Sequence, residues 1–165
     1  MATYKPETLP RQGELNAWML FFVASAGAFI LSLRTEVPQW AWFLVAILLF
    51  SSASISLGNW MDRQTSITLE PNGVQFMNGL RNVHFSWSEI TQVKVSPARW
   101  GRSVQVIGQQ AFFTFSTLGE MKFRDDVKGR TGFEKGEEIL SEITSQAGLQ
   151  MVQQQGPLTT YTRTK

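Results

Sequence analysis

The sequence predicts a pair of membrane-spanning helices followed by a soluble, mainly β domain that one C-terminal helix closes. Three patterns in the 165 residues lead to this fold class. Two long apolar segments lie near the N-terminus, hydrophobic residues alternate with period two from Ser66 onwards, and one amphipathic segment near the C-terminus has helical spacing. A domain attached to such an apolar hairpin is expected to be held at a bilayer surface.

The first two elements are residues 15–33 and 40–57, which contain no Asp, Glu, Lys, Arg or His. Each segment is close to the roughly 20 residues that a helix needs to cross a hydrocarbon core of about 30 Å. Because a backbone in lipid must satisfy its own hydrogen bonds, both segments are predicted to be helices, joined through the polar linker 34–39. The lack of ionisable groups in both spans argues against a proton or ion path.

Basic residues predict the orientation of this hairpin. Lys5, Arg11 and Arg63 flank the side of the termini, whereas the linker carries Arg34 next to Glu36. Cytoplasmic segments of membrane proteins carry an excess of Lys and Arg, so both termini are expected in the cytoplasm. The sequence thus predicts an integral protein of the plasma or thylakoid membrane with two spans.

These assignments divide the chain into four parts. Residues 1–14 are the predicted cytoplasmic N-terminal tail, 15–60 the transmembrane hairpin, 61–149 the soluble domain and 150–165 a disordered tail. The last part is rich in Gln and Thr and poor in apolar residues, which favours disorder, although a peptide that binds a partner is the alternative.

Small residues in the spans leave two interpretations open. Ala24 and Ala28, and likewise Ser52 and Ser56, are four residues apart and form grooves that admit a close helix. The grooves serve either the packing of the hairpin itself or docking onto another membrane protein. A cleavage site after an Ala-x-Ala motif at 24–26 is a further alternative, but the apolar run continues past it, which favours an intact span.

The soluble domain begins where the hydrophobic period changes to two. About seven short strands joined by turns are expected before residue 124, and their close spacing indicates an antiparallel meander rather than βαβ units. Trp87 continues the alternation of Val83 and Phe85, so it is predicted to be a core residue on the same strand face.

One helix follows the strands. Thr131 and Glu134 fit a capping box at its start, and Gly148 is placed to end it in a left-handed conformation. Its predicted buried face has helical spacing and consists of Ile139, Leu140, Ile143 and Ala147.

A meander closed by one C-terminal helix is the layout of a pleckstrin-homology-like (PH-like) barrel. The segments ITLEPNGV at 67–74 and FSWSEITQV at 85–93 resemble bacterial PH-like domain proteins with an N-terminal two-helix membrane anchor. This resemblance implies a PH-like antiparallel barrel, a binding or scaffolding role and no catalytic residue. By order of parts alone, the chain is also similar to the two-helix photosystem I assembly factors.

Composition argues against most catalytic chemistry. The chain has no cysteine, which excludes disulfides, thiolate metal sites and a Cys nucleophile. A zinc site or a catalytic triad needs more partners than the single histidine, His84, and the absent cysteines provide. His84 is expected at an exposed strand position. A net charge of +2 lacks the dense basic stripe of a nucleic-acid binder. We therefore expect no enzyme activity, metal, cofactor, small-molecule substrate or nucleic-acid partner.

One constellation is a candidate binding site. Arg99, Trp100 and Arg102 follow Pro97 in a loop between strands, and Arg81 lies in another such loop. Arginine suits phosphate and carboxylate groups, while tryptophan suits a membrane interface or a protein hot spot. The simpler alternative is a Trp folded back on the domain beside solvated arginines.

These observations predict a non-enzymatic scaffold or assembly factor whose cytoplasmic domain binds a protein of an integral membrane complex, with photosynthetic complexes among the candidates. The alternative function is a sensor of anionic lipid headgroups that uses the basic and aromatic loop.

Overall fold

The computed structural model describes residues 1–8, 10–123 and 126–163. The chain forms two compact units. One is the helical unit Pro10–Trp60, and the other is a β-rich unit that combines Met1–Leu9 with Met61–Lys165. The N-terminal segment, predicted to be a separate tail, is thus part of the β-rich unit.

The helical unit consists of α1 (Gln12–Ser32) and α2 (Gln39–Gln64), of which α2 continues into the β-rich unit over its last turn. Both helices are long and apolar enough to cross a membrane, as the sequence predicts. Ala28 of α1 and Ser52 of α2 are the two buried side chains of these helices.

A polar cluster joins the two helices near the start of α1. The Trp18 indole donates to Ser56 Oγ at 2.8 Å, Ser56 Oγ donates to Glu14 Oε1 at 2.8 Å, and Asn59 Nδ2 donates to Glu14 Oε2 at 3.0 Å. With Ser52 buried and Ser56 bonded across the pair, the Ser52/Ser56 groove serves the packing of the hairpin itself.

Within its described residues, the β-rich unit contains eleven strands and one further α-helix. The strands are β1 (Ala2–Tyr4), β2 (Thr65–Glu70), β3 (Gly73–Asn78), β4 (Asn82–Ser86), β5 (Ile90–Pro97), β6 (Arg102–Gly108), β7 (Phe112–Ser116), β8 (Gly119–Phe123), β9 (Asp126–Thr131), β10 (Gln150–Gln155) and β11 (Leu158–Thr162), and the helix is α3 (Gly136–Gln146).

These strands form three antiparallel sheets rather than the predicted barrel of about seven strands. The first has the order β1-β2-β3-β4, the second β10-β11-β5-β6-β7, and β8 pairs with β9 alone. Within the described residues the sheets do not close into a barrel. The strand count exceeds the prediction chiefly because β1, β10 and β11 come from segments whose few apolar residues show no alternation.

Aromatic rings fill the space between the two larger sheets. The ring of Phe113 on β7 stacks on Phe76 and Phe85 of the first sheet, with centroids 5.0 and 5.9 Å apart, and on Phe115 at 6.4 Å. Phe133, just before α3, meets Phe115 edge-on at 5.7 Å. Such contacts add to the free energy gained by removing these rings from water.

The helix α3 packs the predicted face into this core. Ile139, Leu140, Ile143 and Ala147 are all buried, and Gly148 follows with a φ of +62°. The predicted start of the helix, a capping box formed by Thr131 and Glu134, is wrong.

Thr131 ends β9, and Lys135 is the residue that precedes α3. The backbone between them forms hydrogen bonds outside the helix. Gly132 exchanges hydrogen bonds with Glu7, and the Phe133 N–H donates to Ser116 O at 2.9 Å. A capping box at Thr131 would need this segment to be helical.

Trp87 does not occupy the core position predicted for it on β4. It opens a 3-10 turn, Trp87–Glu89, and is half-buried against the core instead of continuing β4. The turn is held by a capping box, in which the Ser86 side chain accepts from the Glu89 backbone N–H and Glu89 Oε2 accepts from the Ser86 backbone N–H at 2.8 Å. The Trp87 indole donates to Pro71 O at 3.0 Å.

The C-terminal segment, predicted to be disordered, forms a hairpin. β11 pairs with β5 from Thr159↔Val95 to Thr162↔Gln92, and Tyr161 packs against the core. The Arg163 guanidinium then donates to the carbonyls of Trp87, Ser88 and Ala147 at 3.0–3.2 Å. Polar Thr residues suit a strand when a neighbouring strand offers a ladder, and composition alone does not reveal that neighbour.

Phe113 provides a direct test of the core. Phe113→Ala should lower the free energy of unfolding by about 3–5 kcal/mol, because the ring is 1% exposed and its removal leaves a cavity. Phe112→Ala is the matched control, since this neighbour is 47% exposed, and it should cost less than about 1 kcal/mol. Denaturant unfolding in mild detergent, followed by circular dichroism, measures both, and equal costs would contradict the assignment.

Removal of the C-terminal hairpin provides a second test. A chain that ends at Leu149 should lose about 3 kcal/mol or more, because it lacks the β11 ladder, the Tyr161 contact and the Arg163 hydrogen bonds. A chain that ends at Arg163 is the control and should unfold at the same denaturant concentration as the full protein. An unchanged midpoint for the shorter chain would show that the hairpin contributes nothing to stability.

Candidate functional site

The predicted site residues fall at two separate places. Arg99, Trp100 and Arg102 lie at the turn between β5 and β6, whereas Arg81 lies between β3 and β4, with its guanidinium carbon 4.9 Å from the ring centroid of Phe112. Phe112 pairs with Ile107, close to the far end of β6. At about 3.3 Å per residue, the strand separates the two places by roughly 17 Å. The structure therefore does not bring Arg81 to the other three residues.

The turn between β5 and β6 is closed by its backbone. The Ala98 N–H donates to Gly101 O at 3.2 Å, and Gly101 has a φ of +74°, which favours glycine. A Cβ at Gly101 would lie 2.7 Å from Thr117 O, so the turn rests directly on the chain between β7 and β8. The backbone thus fixes where the flanking side chains point.

Trp100 is half-buried on this turn. Its backbone lies against Gly119, where an added Cβ would come within 2.4 Å of the Trp100 carbonyl carbon. The Arg99 guanidinium carbon lies 4.9 Å from the ring centroid of Trp100, in cation–π geometry. The arginine is exposed, and the described part of the chain gives it no ion-pair partner. A cation and a partly accessible ring are therefore presented together.

Arg102 has a different environment. Its Nε donates to Glu137 Oε1 at 3.0 Å, and a second guanidinium nitrogen contacts the other oxygen of the same carboxylate. Both side chains are about half exposed, so the pair adds little to stability but neutralises the arginine locally. Its backbone N–H donates to Thr117 Oγ1 at 3.0 Å. Arg102 thereby links the turn to α3 instead of standing free.

A polar cleft that the sequence analysis missed runs beside β4. It has a volume of about 230 Å³ and lies between β4 and the turn that joins β6 to β7. His84 is exposed there, as predicted, and its Nε2 lies 3.7 Å from Glu70 Oε2. No pattern in the sequence pairs β4 with the turn that follows β6, so only the fold reveals this cleft.

Glu89, which also lines the cleft, has a lowered pKa because it accepts hydrogen bonds from the backbone N–H and the hydroxyl of Ser86. The ionised form is favoured in the folded state. The stabilising contribution of Glu89 is therefore present above the pKa of the unfolded chain and is lost as the pH falls through the lower folded pKa.

Few acid–base or metal-binding groups converge in the described part of the chain. Among the residues described, no group of three or more His, Asp or Glu side chains is placed to hold a metal ion. Comparison with protein-family models, curated proteins and solved structures finds no match to this chain. Geometry therefore identifies the β5–β6 turn and the surface around Arg81 as the candidate contact surfaces.

Gly101 tests whether the backbone fixes the β5–β6 turn. Gly101→Ala should cost about 1–3 kcal/mol, because the new methyl group meets Thr117 O at a positive φ. Gly148→Ala is the matched control: its φ of +62° is similar, but nothing lies within 4 Å of the added Cβ, so it should cost only about 1 kcal/mol. Denaturant unfolding measures the difference, and equal costs would show that the turn does not press on Thr117.

Proposed function

We propose that this chain is a membrane-anchored, non-enzymatic scaffold or assembly factor whose β-rich unit binds a protein of a membrane complex. The exposure of the two long helices carries this proposal. Only 6% of the residues in each apolar window are buried, and large side chains such as Phe22, Phe29 and Phe50 face outwards. Water disfavours apolar surface of this extent, whereas a hydrocarbon core accepts it.

Strand pairing supports the topology of the anchor. β1 precedes α1, β2 follows α2, and the two strands pair antiparallel from Ala2↔Leu69 to Tyr4↔Ile67. This ladder supports an arrangement in which both ends of the hairpin lie on one face of the membrane. Lys5, Arg11 and Arg63 favour the cytoplasmic face, in a plasma or thylakoid membrane.

The turn between β5 and β6 is the proposed contact for the partner protein. Trp and Arg are enriched among the residues that dominate protein interfaces, and here Arg99 lies over the ring of Trp100 on a turn that the backbone fixes. A surface that is already ordered loses less conformational freedom on binding. The ion pair between Arg102 and Glu137 supports the turn from α3.

Charge favours a protein partner over lipid at this turn. Near an anionic leaflet each basic residue contributes about 1 kcal/mol, so the predicted pair of arginines would already bind lipid weakly. Since Glu137 neutralises Arg102, Arg99 is the remaining unpaired cation among the described residues of the turn. The described residues of this turn also include no large exposed apolar side chain that could enter the acyl region beside that arginine, whereas a Trp anchored in a protein pocket typically contributes about 2 kcal/mol or more.

The fold relationship remains part of the same proposal. Antiparallel sheets with a helix that packs into their core support a PH-like ancestry in outline, although the β10–β11 hairpin follows that helix. The likeness to two-helix photosystem I assembly factors rests on the order of parts, and it makes photosynthetic complexes reasonable candidates for the partner.

Copurification tests the proposed contact. The full chain, extracted from its native membrane in mild detergent, should retain a stoichiometric protein partner. Arg99→Ala combined with Trp100→Ala should release that partner, because it removes the stacked pair. Arg81→Ala is the matched control: this arginine also lies 4.9 Å from an aromatic centroid, but beyond the other end of β6.

Two outcomes would contradict the proposal. Retention of the partner by the double variant would exclude the turn as the contact. Release by Arg81→Ala alone would move the contact to the other end of β6. Circular dichroism of each variant ensures that only folded proteins are compared.

A further inference from the structure

The turn between β3 and β4 lies at the end of its sheet where the chain arrives from the second apolar helix. α2 ends at Gln64, and β2 begins at the next residue. Thr65, the first residue of β2, pairs with Asn78, the last residue of β3. Since neighbouring strands are about 4.8 Å apart, this turn lies within roughly 10 Å of the residue at which β2 begins.

Large apolar side chains are exposed around this turn. Leu80 at its tip is 66% exposed, and Met77 just before it is 42% exposed. The Arg81 guanidinium covers the ring of Phe112, which is itself 47% exposed, so the patch extends onto the start of β7. We call this surface the tip patch; it consists of Met77, Leu80, Arg81 and Phe112.

The tip patch combines apolar groups with a single type of charge. From Met77 to Asn82 the chain reads MNGLRN, in which Arg81 is the one charged residue. The backbone N–H of Arg81 donates to Asn78 Oδ1 at 2.9 Å, which orders the turn and holds Leu80 at its apex. Exposed apolar side chains beside a cation suit the boundary between headgroups and acyl chains, where the apolar part is buried and the charge meets phosphate.

We propose that the tip patch rests on the membrane that holds the hairpin, with Leu80 at the acyl boundary and Arg81 on the phosphate of an anionic phospholipid. This inference rests on the membrane anchor proposed above, but not on the partner contact at the β5–β6 turn. The contact need not be strong by itself. Because the tether keeps the patch beside the bilayer, a high effective concentration replaces intrinsic affinity.

The absence of cysteine makes a site-specific test straightforward. In the full chain, Leu80→Cys provides a unique position for an environment-sensitive fluorophore. Asn72→Cys is the matched control, since this exposed residue lies at the opposite end of β3, next to Gly73. Each labelled protein is reconstituted at low density into neutral phosphatidylcholine vesicles and into vesicles that also contain phosphatidylglycerol.

The label at position 80 should be shielded severalfold from iodide quenching in anionic vesicles, and a nitroxide placed near the lipid headgroup should quench it. The label at position 72 should remain accessible to iodide. Arg81→Ala should remove the part of the shielding that depends on anionic lipid and on low salt, whereas Arg99→Ala should leave it unchanged. Met77→Cys repeats the measurement on the same patch should the label at position 80 perturb the turn.

Several results would overturn the inference. Equal iodide access at positions 80 and 72 would show that the tip patch does not lie on lipid. Shielding that rises with protein density would assign the patch to a second copy of the chain. Equal shielding of position 80 in neutral and anionic vesicles would contradict a contact between Arg81 and the phosphate of an anionic phospholipid. Co-flotation of the protein with the vesicles separately reports the anchor, so loss of the anchor and loss of the tip contact are distinguishable.

Discussion

The stacking of Phe113 between the two larger sheets is the contact on which the β-rich unit depends. Its ring meets Phe76 on β3 and Phe85 on β4, so one side chain of the second sheet bridges two strands of the first. Through Phe115 and Phe133 the same stack reaches the segment that leads into α3. The two sheets and the segment that leads into the helix therefore share one aromatic core.

The sequence predicts those elements whose signal is local. The apolar helices and the buried face of α3 follow from length and periodicity, which need no knowledge of distant residues. Some errors arise from a local signal that the alternation of apolar residues hides, and others arise where a distant partner decides. Trp87 leaves β4 because Glu89 caps a turn, and the C-terminal segment becomes a strand because β5, which lies far earlier in the chain, has an edge to pair with.

The candidate site shows the same division. Residue types alone indicate Arg99, Trp100 and Arg102 as a group, and the structure does place them on one turn. The charge of that group depends on Glu137, which is distant in sequence and which no local pattern connects to Arg102. Arg81 belongs to a separate surface because β6 lies between the two turns. A list of basic and aromatic residues therefore overestimates the charge of one site and overlooks the second.

The pairing of β1 with β2 has a consequence for how the protein is made. β1 emerges from the ribosome first, but its partner strand is synthesised only after both apolar helices. In the proposed membrane anchor, the first sheet can thus be completed only when the helices have been released and the two ends of the hairpin have reached the same compartment. A hairpin inserted with its ends apart would leave β2 with an open edge, which is a hazard for aggregation and a target for quality control. For a chain anchored as proposed, the N-terminal strand therefore couples completion of the fold to correct insertion during biosynthesis.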